Sequence, residues 1–243
     1  MDNKNQYIIP SAIAGISFLL GVIIFVLIWK SNYNSKQTIT VTGSAKQDIV
    51  SDFAILKGML FAEASTQDAA YRKLENEKPL LIDYLNSRGF PKDKIEFFTI
   101  SSYPIFEVGD NGKQTTNVKS YVYNQRIEVQ SRDVYKIKDI SLQIPSLIEK
   151  GVDFRVEMPE FYYTKLAEVK INIQAAAAKD AMIRAEKIAE ATGRKIGTMT
   201  EARMGVLQIT PRFSNQVSDY GINDITSIEK EITAVVSASF KIN

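Results

Sequence analysis

From Ile8 to Trp29 the chain reads IIPSAIAGISFLLGVIIFVLIW, without a single charged residue. A helix of about 22 residues, at about 1.5 Å per residue, crosses a hydrocarbon core of roughly 30 Å. No polar stripe interrupts the run, which excludes an ordinary amphipathic surface helix. Tyr7 and Trp29 stand at its two ends, where amphipathic rings favour a membrane interface. A cleaved leader has a shorter apolar core followed by a small-x-small site, whereas Lys30-Ser31-Asn32-Tyr33 follows here. The expectation is therefore an uncleaved, single-pass transmembrane anchor over residues 1–30, touching membrane lipid through residues 8–29. Residues 31–37 are expected to form a linker. Lys4 and the α-amine precede the run and Lys30, Lys36 and Lys46 follow it, a bias too small to orient a long domain.

The 243 residues leave room, beyond this run, for one α+β domain over residues 38–243, or for two lobes within it. Lys plus Arg number 30 and Asp plus Glu 28, with no block of like charge, so no basic face points to nucleic acid. Cysteine and histidine are both absent. Their absence excludes disulfides, thiol chemistry, histidine-based nucleophile systems and the commonest zinc ligands. Any catalysis would rest on carboxylates, lysines or tyrosines.

Thr38–Thr42 reads as a strand. Gly43 is read as the turn that sends it back, with Lys46 and Asp48 as solvated turn residues. A second strand, Phe53–Phe61, places Phe53, Ile55, Met59 and Phe61 on one face, with Lys57 the exception. Ser65 or Thr66 can cap a helix carrying Ala70, Leu74, Leu81 and Leu85, and Gly89 suits its left-handed end. Ile95–Tyr103 and SYVYNQRIEVQ are strands around a polar turn at Gly109–Lys113. Val134, Ile137, Ile140, Ile144 and Leu147 mark a further helix ending at Gly151. Val152–Tyr163 is extended. An alanine-rich helix follows, with Thr164 as its cap and Gly193 as its end. Ile196–Met204 is a strand, Gly205–Asp224 a turn-rich insertion, and Ile232 to Ile242 a closing strand of clean period two. Pro79 and Pro145 lie inside two of the helices and predict a kink or a split at each.

ITVTGSAKQDIVSDFAIL, DKIEFFTISSYPIFE, SYVYNQRIEVQSRD and AAAAKDAMIRAEKIAEATGRKIGTM, in this order and spacing, resemble the SIMPL-domain family, whose bacterial members include the YggE-like envelope proteins. The likeness covers about residues 38 to 243. It implies an exported α+β domain of antiparallel sheets packed with three main helices. It also implies an extracytoplasmic (periplasmic) side for that domain, assembly into homo-oligomers and a link to oxidative-stress tolerance. It carries over no catalytic residue.

The chemical candidates are few. A phosphate-cradling loop at Gly43–Lys46 lacks the second glycine before the lysine, and lacks Ser or Thr after it. Glu157 and Glu160, either side of Met158-Pro159, are candidates for a groove beside Tyr162 and Tyr163; a solvated rim is the simpler reading. Asp110-Asn111-Gly112 lacks the ligand ladder of a calcium loop. Tyr121 and Tyr123, flanked by Arg126, Arg132, Lys136 and Lys138, lack an RNA-binding signature and share the face of Ile127 and Val129. The sequence therefore assigns no catalytic, metal or cofactor residue and no nucleic-acid partner. The expectation is a membrane-anchored, non-catalytic envelope assembly or interaction module, with a tethered small-ligand or peptide sensor as the alternative.

Overall fold

The computed structural model describes residues 8–34, 37–110 and 112–242. Among the described residues the fold is α+β, with four α-helices and two sheets. Helix α1 (Ile8–Asn34) extends four residues past the expected end of the anchor. Nothing between Trp29 and Asn34 breaks a helix, because neither proline nor glycine occurs there. Of the expected linker, residues 35 and 36 lie outside the described residues, as do Lys4, the α-amine and Asn111. Every described side chain of α1 from Ile13 to Trp29 is exposed. Among the described residues, no helix is long and apolar enough to cross a membrane.

The chain then forms β1 (Thr38–Val50), β2 (Phe53–Ala64), α2 (Gln67–Ser87), β3 (Ile95–Val108), β4 (Gln114–Ser131), α3 (Val134–Gln143), β5 (Asp153–Val156) and β6 (Glu160–Tyr162). After these come α4 (Leu166–Ala191), β7 (Ile196–Met204), β8 (Gln208–Pro211), β9 (Ile222–Asn223) and β10 (Glu229–Ile242). One sheet runs β1-β10-β8-β9 with β7 also on β10, and the other runs β3-β4-β2-β5 with β6 also on β2. Two compact units share these elements: Met1–Ala45, Lys170–Val206 and Thr233–Asn243 in the first, Lys46–Val169 and Leu207–Ile232 in the second.

The first unit corrects the reading of Gly43. There is no turn at this glycine; β1 is one strand of 13 residues, and the chain reverses at Ser51-Asp52. Gly43 is buried against α4. A Cβ there would lie 2.2 Å from Ala181 N and 2.3 Å from Ala177 O. The missing side chain thus lets strand backbone lie directly on helix backbone. The helix answers with small residues: Ala177, Ala181, Ala185 and Ala189 are all buried, one per turn, in line with Ile173. Asp180 fastens the approach, accepting from Ser44 N–H at 2.8 Å and from Arg184 Nε at 2.7 Å through the same oxygen. On the other flank, β10 pairs antiparallel with β7, Ala238 opposite Ala202.

The second unit buries large side chains instead. Ala54, Leu56, Leu60 and Ala62 of β2 face Leu74, Leu81 and Leu85 of α2 and Ile137, Ile140 and Ile144 around α3 in one core. Each fully buried leucine contributes about 1.5–3 kcal/mol. Phe53, Ile55, Lys57, Met59 and Phe61 share the opposite, half-buried face. Tyr123 packs against the helix-covered core, its ring 5.8 Å from that of Tyr71 on α2. Thr66 caps α2 by accepting from Ala69 N–H, and Gly89, Gly151 and Gly193 all take positive φ where helices end.

The two prolines behave differently. At Pro145 the helix does split: α3 ends at Gln143 and a 3-10 turn, Ile144–Lys150, takes over with proline in its first turn. At Pro79 it does not, and α2 passes through as one helix of 21 residues. Leu74 on one side of the proline and Leu81 and Leu85 on the other are all buried in the same core. That shared burial keeps both halves helical and offsets the lost hydrogen bond.

Candidate functional site

β6 is only three residues long, yet it gathers most of the chemistry in the second unit. It pairs with β2, Tyr162 opposite Phe53 and Glu160 opposite Ile55. Strand alternation sends Phe161 into the core and turns Glu160 and Tyr162 to the half-buried face. There Lys57 Nζ donates to Glu160 Oε1 at 2.7 Å, and the Tyr162 hydroxyl donates to Glu160 Oε2 at 2.6 Å. Lys57, the odd residue in its strand's apolar pattern, is therefore the counter-ion of Glu160. The Lys57 bond, followed by the Tyr162 bond, holds the Glu160 carboxyl below its ordinary value. The same bond pushes Tyr162 up from 10.0 to about 12. At neutral pH the carboxylate is ionised and the phenol protonated, so neither group is poised to exchange a proton.

Beside this cluster lies a cavity of about 70 Å³, lined by Tyr162, Tyr163, Ile49, Leu166, Ile209 and Lys230 among others. Lys230 is 3% exposed. Its ammonium donates to the carbonyl oxygens of Phe161 and Asp224, both at 2.6 Å. Burial lowers the Lys230 pKa, and the Asp224 charge works against that. Burial also pulls the Asp224 carboxyl upward, but bonds from Thr226 N–H and Oγ1 and from Ser227 N–H outweigh it and leave it below its ordinary value. The lysine thus ties β6, the segment before β10 and β10 itself into one knot.

The sequence candidates fall as follows. Glu160 lies in the cluster, whereas Glu157 is exposed, its N–H bonded to Lys57 O; the two are not joined as an acid–base pair by any bond described. Thr164 does not cap α4. Its N–H and hydroxyl both donate to the Asp52 carboxylate at 2.7 Å, beside the β1–β2 reversal. Burial raises the Asp52 carboxyl and the two Thr164 bonds more than cancel this, leaving it lowered. Lys46 and Asp48 are strand residues: Lys46 pairs with Glu231 at 2.6 Å and Asp48 with Arg212 at 3.0 Å. Gly109–Lys113 closes the β3–β4 hairpin, with Gly109 N–H donating to Lys113 O. Among the described residues, no group of three or more acidic residues could hold a metal ion.

The sequence reading passed over Lys230, though a signal was present. Ile228, Lys230, Ile232, Ala234 and Val236 form one alternating face, and all five are buried. A lysine in such a row enters the core with its strand.

A family model described as "SIMPL: Protein of unknown function (DUF541)" matches residues 39–240. No curated protein matches the chain.

Proposed function

The chain belongs to the SIMPL family, and from that premise we propose that it is a membrane-anchored, non-catalytic interaction or assembly module of the cell envelope. The observation that carries the anchor is the uncharged run Ile8–Trp29 of α1, whose described side chains are all exposed, Phe18 at 73% and Trp29 at 63% among them. Monomeric soluble proteins rarely leave so continuous an apolar surface open to water. Lipid would cover such a surface. The domain beyond it lies on the extracytoplasmic side in this proposal, and a contribution to oxidative-stress tolerance belongs to the same family-based reading.

The polar groups of the second unit support a non-catalytic role. Glu160 accepts from Lys57 and Tyr162, Asp224 from Thr226, and Lys230 donates to backbone carbonyls. They hold the unit together. The test is membrane extraction of the full chain. Retention in the pellet under alkaline carbonate, with a C-terminal reporter active only outside the cytoplasm, is the expected result. Release into the supernatant rejects the anchor.

The sensor reading rests on the cavity beside Tyr162 and Tyr163. At about 70 Å³ it is well below the roughly 300 Å³ at which small-molecule sites begin. It suits a group no larger than a small anion beside the Lys230 ammonium. Chloride and acetate titrated against the melting temperature test it, and identical shifts in Lys230→Met remove it.

A further inference from the structure

β7 is an exposed edge of its sheet, regular from Glu201 to Met204 and shifted in register beyond it. Among the described residues it pairs with β10 and with no other strand. Gly205 N–H donates to Val235 O at 2.9 Å, and the ladder continues with Met204 opposite Val236, Arg203 opposite Ser237 and Ala202 opposite Ala238. Antiparallel alternation then turns the backbone groups of Arg203 toward β10 and those of Ala202 and Met204 outward. From Thr198 to Met204 every side chain is exposed, with Met199 at 57% and Met204 at 65%. Of the other long edges, β3 carries Pro104, a residue that blocks edge pairing, and β1 ends the same sheet as β7; β7 has no proline.

We propose that β7 pairs with the β7 of a second copy of this chain, antiparallel about a two-fold axis at Ala202. The charges select both partner and register. Glu201 and Arg203 lie two apart on one face, bridged at 2.7 Å and well exposed. About Ala202, Glu201 of each copy stands opposite Arg203 of the other, in the closely spaced, non-hydrogen-bonded position where cross-strand side chains interact most. An axis at Glu201 would set Glu201 against itself, and an axis at Arg203 would set arginine against arginine. The Ala202 axis also makes Ala202–Ala202 a hydrogen-bonded pair, at a position whose backbone groups point outward; Thr200, at the register shift opposite Ser239 and Phe240, lies outside this regular stretch. A small residue at the centre lets the strands close without a clash. The contact is isologous and closes on itself. It builds an anchored dimer or the repeating step of a larger even-numbered assembly.

This inference rests on the assembly reading and names its surface. The test is the mass of the full chain in mild detergent, by sedimentation velocity over a concentration series. Wild type is expected as a dimer or an even-numbered assembly. Arg203→Glu sets glutamate against glutamate and should weaken association by about tenfold or more, and Glu201→Arg with Arg203→Glu together should restore it. Ala202→Pro removes an outward N–H that β10 does not use, and should abolish the contact while the circular dichroism spectrum stays unchanged. The chain has no cysteine, so a cross-linked dimer of Ala202→Cys on oxidation reports this contact alone. An assembly whose mass ignores Arg203→Glu and Ala202→Pro overturns the β7 contact and leaves the assembly reading standing. A wild-type monomer at high concentration overturns both.

Discussion

The two units bury a helix on a sheet in opposite ways. In the first, Gly43 and the alanines of α4 bring strand and helix backbones together, and the buried cluster around Ala181 and Ala185 holds one aromatic ring, Phe240. In the second, leucines, isoleucines and phenylalanines fill the space between β2 and its helices. Large side chains stabilise by the apolar area they remove from water and can adjust by rotamer changes. A glycine–alanine contact removes little area, depends on the fit of two backbones and cannot adjust. The alanine interface is therefore the brittle one, although its residues are the smallest.

Gly43→Ala should break that comparison most sharply. Its Cβ would meet backbone atoms of Ala181 and Ala177, so relief requires moving α4. The expected loss is about 3 kcal/mol or more, read by urea denaturation, with the first unit losing amide protection before the second. Leu81→Ala, fully buried in the second unit, should cost about 2–5 kcal/mol and show the reverse order of exchange. Gly58→Ala looks like Gly43→Ala on distance alone, with a Cβ 2.3 Å from Phe154 Cζ. A ring can swing where a helix cannot, so the expected loss is only about 1 kcal/mol. A loss equal to that of Gly43→Ala would refute the distinction.

Two smaller effects depend on pH. Glu77 on α2 is buried, with Oε2 unpartnered and Lys73 no nearer than 3.8 Å. Burial raises its pKa above 4.5, with Lys73 and the Asp153 N–H opposing. A raised carboxyl binds its proton more tightly in the folded state. Its contribution is full below pH 4.5 and is lost as pH rises through the folded pKa. Glu77→Gln should therefore gain up to about 1 kcal/mol at pH 7 and little at pH 4, by thermal melts. Tyr162 is raised from 10.0 to about 12, so its contribution is present below pH 10.0 and lost between there and about 12. Tyr162→Phe should flatten that stretch of the stability curve, and ultraviolet titration of wild type should show a tyrosine that ionises late.

Local signals were legible where one short stretch carries the whole cause. Thr66 as a helix cap, Gly89 and Gly193 as helix ends, and the alternation from Ile232 to Ile242 all needed only neighbours in sequence, and the structure has each. Gly43, Thr164 and Pro79 were misread because each is decided by something distant. Gly43 looked like a turn, yet its reason is a helix more than 130 residues away. Thr164 looked like a cap, yet its hydroxyl belongs to Asp52. Pro79 looked like a break, yet burial on both sides of it carries the helix through. In the candidate site, Tyr162 and Tyr163 were legible as neighbours of a cleft, while Lys230, which also lines it, was hidden in a strand pattern that tolerated one charge.

By itself the sequence determined the α+β class, the apolar amino-terminal helix and most of the long elements, because periodicity, capping and composition act within a few residues; strands β8 and β9 lie inside the stretch read as a turn-rich insertion. Tertiary structure decided which glycine is a turn and which is a contact, which face of β2 is core, and which charges have partners. Those outcomes depend on what lies opposite across a sheet or beneath a helix, and a side chain's worth there is set by its surroundings.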